Sequence, residues 1–501
     1  MARGAGAGLR APTRRSTYGL LVGVGAAILA VGLVLPFLVA DPVNDSALSA
    51  TRSPVLGPED IDGGPGDGSG GPADNGSTTT TAPSAGGPNG AAGGPATTEA
   101  PGSVTRTASD VGITSDRITV GVPVPDTSAL GDTEGGVQFG ETLGDFRAQY
   151  QAGIDALNEQ GGVHGRQVVA EYRLYKAGDL DDMRAACVYL TEEKKVFAVL
   201  GGFYGDPILC VTEQHRTPML AQASEPDDFY ARSQGMYFSI AASKDRILGD
   251  LAASLHRDGG LRGRTIGILD QEGIDAIPVD RTLLPQLERL GYDVAYHSRI
   301  ANDVGAAQSQ IALEVQRMRG AGVDTVIVAS GLIRATVFIQ EAQNQRWRPQ
   351  YVLSDFASGS TDVYTLAMPD SFEGALAYTS FRTGEGRTGR PEPAHDKACR
   401  ENYERRASDQ LDRKAIEYFY AVTACGIVQL FGRGMEGAGP NPTRATLSQA
   451  LQGLGTFEVP YGSTGSFGPG KFDAPDTTRR VTWKLDCRCW LPVDDFKATS
   501  T

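Results

Sequence analysis

The sequence predicts an α/β fold in two lobes, and three observations carry that reading. Apolar patterns of period two and period 3.6 alternate along about residues 110–495. Glycine pairs stand where the helical pattern stops, ready for the left-handed cap conformation. The stretch is also longer than one hydrophobic core comfortably serves. Repeated βα units imply parallel sheets covered on both faces.

Taken in order, Ile118, Val120, Val122 and Val124 alternate as a strand. Phe139, Leu143, Phe146, Tyr150, Ile154 and Leu157 then recur every three or four residues as one helix face, ended by Gly161-Gly162. Further strands are expected at 168–172, 196–200, 218–221, 265–269, 323–329, 351–353 and 372–378. Helices are expected at 180–192, 245–257, 280–290, 306–319 and 333–345.

The N-terminal part is different. Residues 1–18 carry Arg3, Arg10, Arg14 and Arg15 and form a basic tail. Residues 19–40 are uncharged and, at 1.5 Å per helical residue, reach about 33 Å, enough to span a bilayer core. The flanking charge places the tail in the cytoplasm and everything after Ala40 outside, as a single-pass protein of the cell membrane held through its N-terminal segment. A cleaved signal peptide is the rival, with Leu38-Val39-Ala40 as a tolerable cleavage sequence. Residues 41–109 form a linker: between 61 and 100 there are 12 Gly, 5 Pro, 3 Ser and 6 Thr and no aromatic residue, too little apolar surface to offset the entropy of ordering.

The formal charge, 46 − 60 = −14, leaves the body without the basic footprint that nucleic acid requires. No Gly-x-Gly-x-x-Gly follows a strand, and there is no Gly-Lys-Ser/Thr loop, His-Glu-x-x-His or Gly-x-Ser-x-Gly. The five histidines are scattered among turns and segment ends, so no catalytic triad or metal site is expected, no cofactor, and no enzyme. Export permits disulfides. Cys187 with Cys210 and Cys399 with Cys425 are the preferred pairs. Cys487 and Cys489 sit on an expected extended segment, where alternate residues rarely meet disulfide geometry unless the backbone bends.

Open parallel sheets bind ligands beyond the carboxyl ends of their strands. That rule points to 125–128, 201–206, 222–225, 270–275, 330–333 and 355–358, which would face one another between two lobes.

At this point the residues resemble a known family. Gly112-Ile113-Thr114-Ser115-Asp116-Arg117-Ile118-Thr119-Val120-Gly121 is similar to the opening of the branched-chain amino-acid (leucine/isoleucine/valine) binding proteins, the type 1 periplasmic binding fold. Gly161-Gly162-Val163-His164-Gly165-Arg166 resembles that family's first long-helix turn. Residues 196–202, 217–224 and Phe372-Glu373-Gly374-Ala375 follow in family order.

The resemblance implies two Rossmann-like lobes joined by a three-strand hinge, lobe 1 from 110–240 and 372–456, lobe 2 from 241–371 and 457–495. The chain should cross near 236–240, 371–380 and 456–466. It also implies a small-molecule ligand in the interlobe cleft, delivered to the permease of an ABC importer. A membrane-anchored sensor or interaction module without transport is the alternative.

Phe203 and Tyr204 occupy the loop where family hydroxyls hold an α-carboxylate. Ser224 stands near the ammonium position. Ile274 and Leu332 replace expected aromatic contacts, and Asp355, with Phe356 beside it, falls one residue from the expected glutamate. These departures count against a free branched-chain amino acid, because a buried charge would be left unsatisfied.

Overall fold

A computed structural model describes residues 105–126, 143–365, 367–407 and 410–499. The chain divides into two units, Met1–Ala96 and Thr97–Thr501, and the described residues all belong to the second. The expected membrane segment 19–40, most of the linker and the 127–128 part of the first strand-end segment lie outside them. Among the described residues no helix is long and apolar enough to cross a membrane.

The first sheet is wholly parallel. It contains β1 (Arg117–Asp126), β2 (Gln167–Lys176), β3 (Ala198–Leu200), β4 (Met219–Ala221) and β5 (Tyr237–Ser239), in the order β2-β1-β3-β4-β5. The second sheet contains β6 (Ile266–Gln271), β7 (Val294–Ile300), β8 (Thr325–Ala329), β9 (Gln350–Ser354) and β10 (Leu376–Thr379). After a separate hairpin of β11 (Gly455–Glu458) and β12 (Thr464–Phe467), the sheet is completed by β13 (Thr477–Lys484) and β14 (Cys489–Pro492), giving β14-β13-β10-β9-β8-β6-β7. This sheet is mixed, not purely parallel as expected. The chain enters β13 straight from the hinge, without a covering helix, and so runs antiparallel to β10.

Helices of nine residues or more are α1 (Phe146–Glu159), α2 (Leu180–Val188), α3 (Lys244–Arg257), α4 (Val304–Gly320), α5 (Leu332–Asn344), α6 (Ala394–Ala407), α7 (Ile416–Ala438) and α8 (Arg444–Gln452). Helix α1 starts at Phe146 because Asp145 caps it, accepting from the N–H groups of Arg147 at 2.8 Å and Ala148 at 3.2 Å. It ends in the turn the sequence marked. Gly162 has φ 67°, and a Cβ there would lie 2.0 Å from the Arg166 carbonyl oxygen, so only glycine fits.

Alternation along the strands divides the core. In β8, Val326 and Val328 join the face that holds Tyr351, Trp483 and Trp490, whereas Ile327 and Ala329 face Leu251 and Leu287. The first lobe does the same around β3. Ala198 and Leu200 meet Ile154, Ile427 and Phe431, while Val199 meets Tyr175 and Met219. Each such buried large side chain contributes roughly 1.5–3 kcal/mol.

The chain leaves the first sheet after Ser239 and the second after Thr379, and it re-enters the second between Phe467 and Thr477. The return therefore falls after β10, later than residue 372, and the last crossing falls beyond 456–466. Isolated bridges Ser239–Asp473 and Phe381–Gly462 hold the hinge segments side by side.

Disulfides join Cys187 to Cys210 and Cys399 to Cys425, both within the first lobe. Cys487 also bonds to Cys489. The expected extended segment is instead a turn between β13 and β14, with Arg488 at φ 49°, and that bend lets alternate residues meet.

Candidate functional site

Two regions line the junction of the lobes. The first is a seam at the strand ends, filled by the chain's own side chains. Glu225, beyond β4, accepts the Gly205 N–H at 2.6 Å. Lys244, which opens α3, places its Nζ 2.6 Å from Asp275 Oδ1 and 3.5 Å from Glu225 Oε2. Gln271 donates to Asp275 Oδ2 at 2.6 Å and accepts from Ser330 Oγ at 3.2 Å and the Gly331 N–H at 2.8 Å.

The four charged or amide groups are all buried. Burial pushes the Glu225 carboxyl up, with Lys244 opposing. Burial pulls the Lys244 ammonium down, but Glu225 and Asp275 outweigh it and hold the ammonium above its ordinary range. The seam is a closed ion network tying β4, β6 and β8 together.

The second region is a small cavity of about 20 Å³. Thr361, Asp362 and Val363 of the second lobe form one wall. Residues 413–416 and Phe419, at the start of α7 in the first lobe, form the other, and Thr383, Arg387 and Tyr461 close it at the hinge. Arg387 bonds Asp362 and also donates to the Lys414 carbonyl at 2.7 Å, bridging the lobes. Burial raises the Asp362 carboxyl, with Arg387 opposing. The rings of Phe419 and Tyr461 meet edge to face at 5.0 Å.

The structure distributes the residues singled out from the sequence. Phe203 is buried against Tyr175, ring centroids 5.7 Å apart, inside the first lobe. Tyr204 is 45% exposed, its hydroxyl accepting the Gly178 N–H at 3.2 Å. Ser224 is half-buried beside Glu225, and Ile274 crosses the seam to pack on the first-lobe cluster that contains Phe203. Leu332 packs inside the second lobe. Asp355 is buried with both oxygens engaged, by the Ser360 hydroxyl on one side and by the Ser380 N–H (2.7 Å) and hydroxyl (2.6 Å) on the other. Phe356 is buried in the second lobe, its ring 5.7 Å from Lys244 Nζ. Seam residues Ser224, Ile274 and Phe356 thus stand beside the ion network, whereas Asp355 braces the hinge segment at Ser380.

Among the described residues, one group has metal-ligand spacing: Cys187, Cys210 and His215. Two of its three donors are spent in a disulfide.

Residues 117–481 match the family model described as periplasmic binding protein. The chain belongs to the periplasmic binding protein family. That is the family whose opening strand and Gly-Gly turn the sequence resembles, and it is one of solute-binding proteins.

Similar folds include three ABC-transporter binding proteins. One is a substrate-binding protein from Desulfitobacterium hafniense in complex with Leu, with 18% identity and a TM-score of 0.56 over 75% of this chain and 100% of that one. Another is a solute-binding protein from Rhodopseudomonas palustris BisB5 in complex with 3,4-dihydroxybenzoic acid, with 16% identity and a TM-score of 0.58 over 77% and 98%. The third is a fatty acid transporter substrate-binding protein from Thermomonospora curvata, with 18% identity and a TM-score of 0.57 over 78% and 94%. At such identities they show the fold alone. No curated protein matches the sequence.

Sequence reasoning missed Lys244, Thr383, Arg387, Arg413 and Tyr461. The signal that could have found the cavity was the cationic Arg413-Lys414 pair just ahead of a long apolar helix.

Proposed function

We propose that this binding protein closes its lobes over a small solute outside the cytoplasm and delivers it to the permease of an ABC importer. The observation that carries the reading is the cavity bounded by both lobes and by the hinge, where lobe movement would open and close a space. The apolar segment 19–40 would hold the protein at the membrane. A free branched-chain amino acid is disfavoured: the strand-end seam is occupied by Lys244, Glu225 and Asp275, which pair with one another.

The test is native purification of the 97–501 region and mass spectrometry of what it retains. The retained compound, returned to stripped protein, should raise the unfolding temperature and reduce the radius of gyration. If no compound shifts either quantity, solute binding between the lobes is wrong.

A further inference from the structure

We infer that the Cys487–Cys489 disulfide is a thiol-exchange site, opened on the folded protein by a dithiol that attacks Cys487 and closed again by oxidation. The inference stands apart from solute binding and does not depend on it.

The three disulfides differ in access. Cys187, Cys210, Cys399 and Cys425 are all buried, so a reductant reaches those two bonds only when the first lobe opens. In the third pair Cys487 is exposed, whereas Cys489 is 1% exposed. Exchange requires a thiolate to reach one sulfur of the bond while the other leaves, and exposed disulfides are the labile ones. Only Cys487 can be approached from solvent.

The bond also contributes little to the fold. It joins residues 2 apart in sequence, while the others join residues 23 and 26 apart. In the chain-entropy model stabilisation grows with loop length, so the shortest loop stabilises least.

The turn between β13 and β14 is held by contacts that do not pass through sulfur. Lys484 pairs with Cys489 and Trp483 with Trp490 across the hairpin, and both tryptophans are fully buried. On one arm, Glu373 accepts the Leu485 N–H and lies 3.2 Å from Lys484 Nζ. At the bend, Arg488 donates to the Met368 carbonyl, stands 3.6 Å from Asp370 and lies over the Trp483 ring at 5.8 Å. A reduced turn braced in this way keeps its two thiols close together. Reclosure is then intramolecular and favoured by a high effective concentration.

The step balances as an ordinary exchange. A thiolate of the dithiol attacks Cys487 Sγ, a mixed disulfide forms, and the Cys487–Cys489 bond breaks with its electron pair leaving on Cys489 Sγ, which takes up a proton. The second thiolate of the dithiol then attacks its own sulfur in the mixed disulfide and releases Cys487. Two electrons and two protons pass to the pair, and the dithiol becomes a disulfide.

The experiment treats the full-length protein, purified oxidised and kept under native conditions, with dithiothreitol. Samples are quenched with iodoacetamide and mapped by mass spectrometry. Cys487 and Cys489 should be labelled at least about tenfold faster than the other four cysteines, with the circular dichroism spectrum unchanged. Oxidised glutathione should close the pair again. In Cys489→Ser, Cys487 should form a mixed disulfide with glutathione at least about tenfold faster than Cys489 does in Cys487→Ser.

Three disulfides that open together, with loss of the spectrum, would overturn the inference. Equal trapping in the two single variants would overturn the assignment of Cys487 as the attacked sulfur. A Cys487→Ser/Cys489→Ser variant that fails to fold, or that loses as much unfolding temperature as Cys187→Ser/Cys210→Ser, would make the bond structural and overturn the exchange site.

Discussion

The seam at the strand ends and the cavity at the start of α7 are both polar and both lie between the lobes, yet they are opposite in design. In the seam, Glu225, Lys244, Asp275 and Gln271 are buried and pair with one another, although Glu225 Oε2 has only the ion pair to Lys244 at 3.5 Å. In the cavity, Arg387, Arg413 and Lys414 border a space that opens to solvent. A buried network closed on itself fixes a geometry, whereas side chains beside an open space are free to change partners. The seam positions the lobes, and the cavity lies where they can part.

The strongest way to break this contrast is Lys244→Met. It leaves two buried carboxylates facing each other without a counter-charge and should cost about 3–5 kcal/mol of unfolding free energy by denaturant titration. Arg413→Gln, by contrast, should change the same quantity by no more than about 1 kcal/mol. Equal losses would mean the cavity is structural too.

Asp355→Ala comes next. It strips the partner from Ser360 and from the Ser380 N–H and hydroxyl, and should cost roughly 1–3 kcal/mol. A variant of wild-type stability with lost solute affinity would instead move Asp355 from the hinge to the binding site.

The smallest effect is a slope. Because burial raises the Glu225 carboxyl, the folded protein holds that proton where the unfolded chain releases it. Its contribution to stability is fully present below the ordinary glutamate value of 4.5 and is lost as pH rises through the raised folded value. Unfolding temperature measured across that acidic window should fall less steeply with rising pH in Glu225→Gln than in wild type. Identical slopes would show that the carboxyl titrates normally.

Much of the fold was legible because its cause is local. Ile118 to Val124 alternate so regularly that no tertiary information is needed, and Gly162 stands where no other residue fits. The pairs Cys187–Cys210 and Cys399–Cys425 were readable from the elements that carry them. β5 and β7 were not: the first has three residues, and the second, VAYHSRI, mixes polar side chains into an outer strand.

The cavity was illegible for a different reason. Thr383, Arg413 and Tyr461 come from the hinge and from a helix start far apart in the chain, and each alone looks like an ordinary loop residue. Searching only beyond strand ends leads to the seam and passes over a cavity that borders a helix start. Nothing around Lys244 in the sequence marks it as buried, and only the fold places it between two acids.

The interleaving of the two lobes has a consequence for how the molecule comes into being. The first lobe's core sets Ile118 and Ile154 against Ile427 and Phe431, so its opening strand waits for a helix that arrives only after the whole second sheet up to β10 has been made. The second lobe lacks only β13, β14 and the short strand Lys497–Ala498 that pairs with β13 when β10 is complete. Closing so long a loop is slow compared with forming contacts nearer in sequence. The middle of the chain is therefore the part that can order first. The lobe that begins the sequence closes only after α7 and α8, the second lobe only after β13 and β14, and the junction between them is assembled only when the polypeptide is nearly finished.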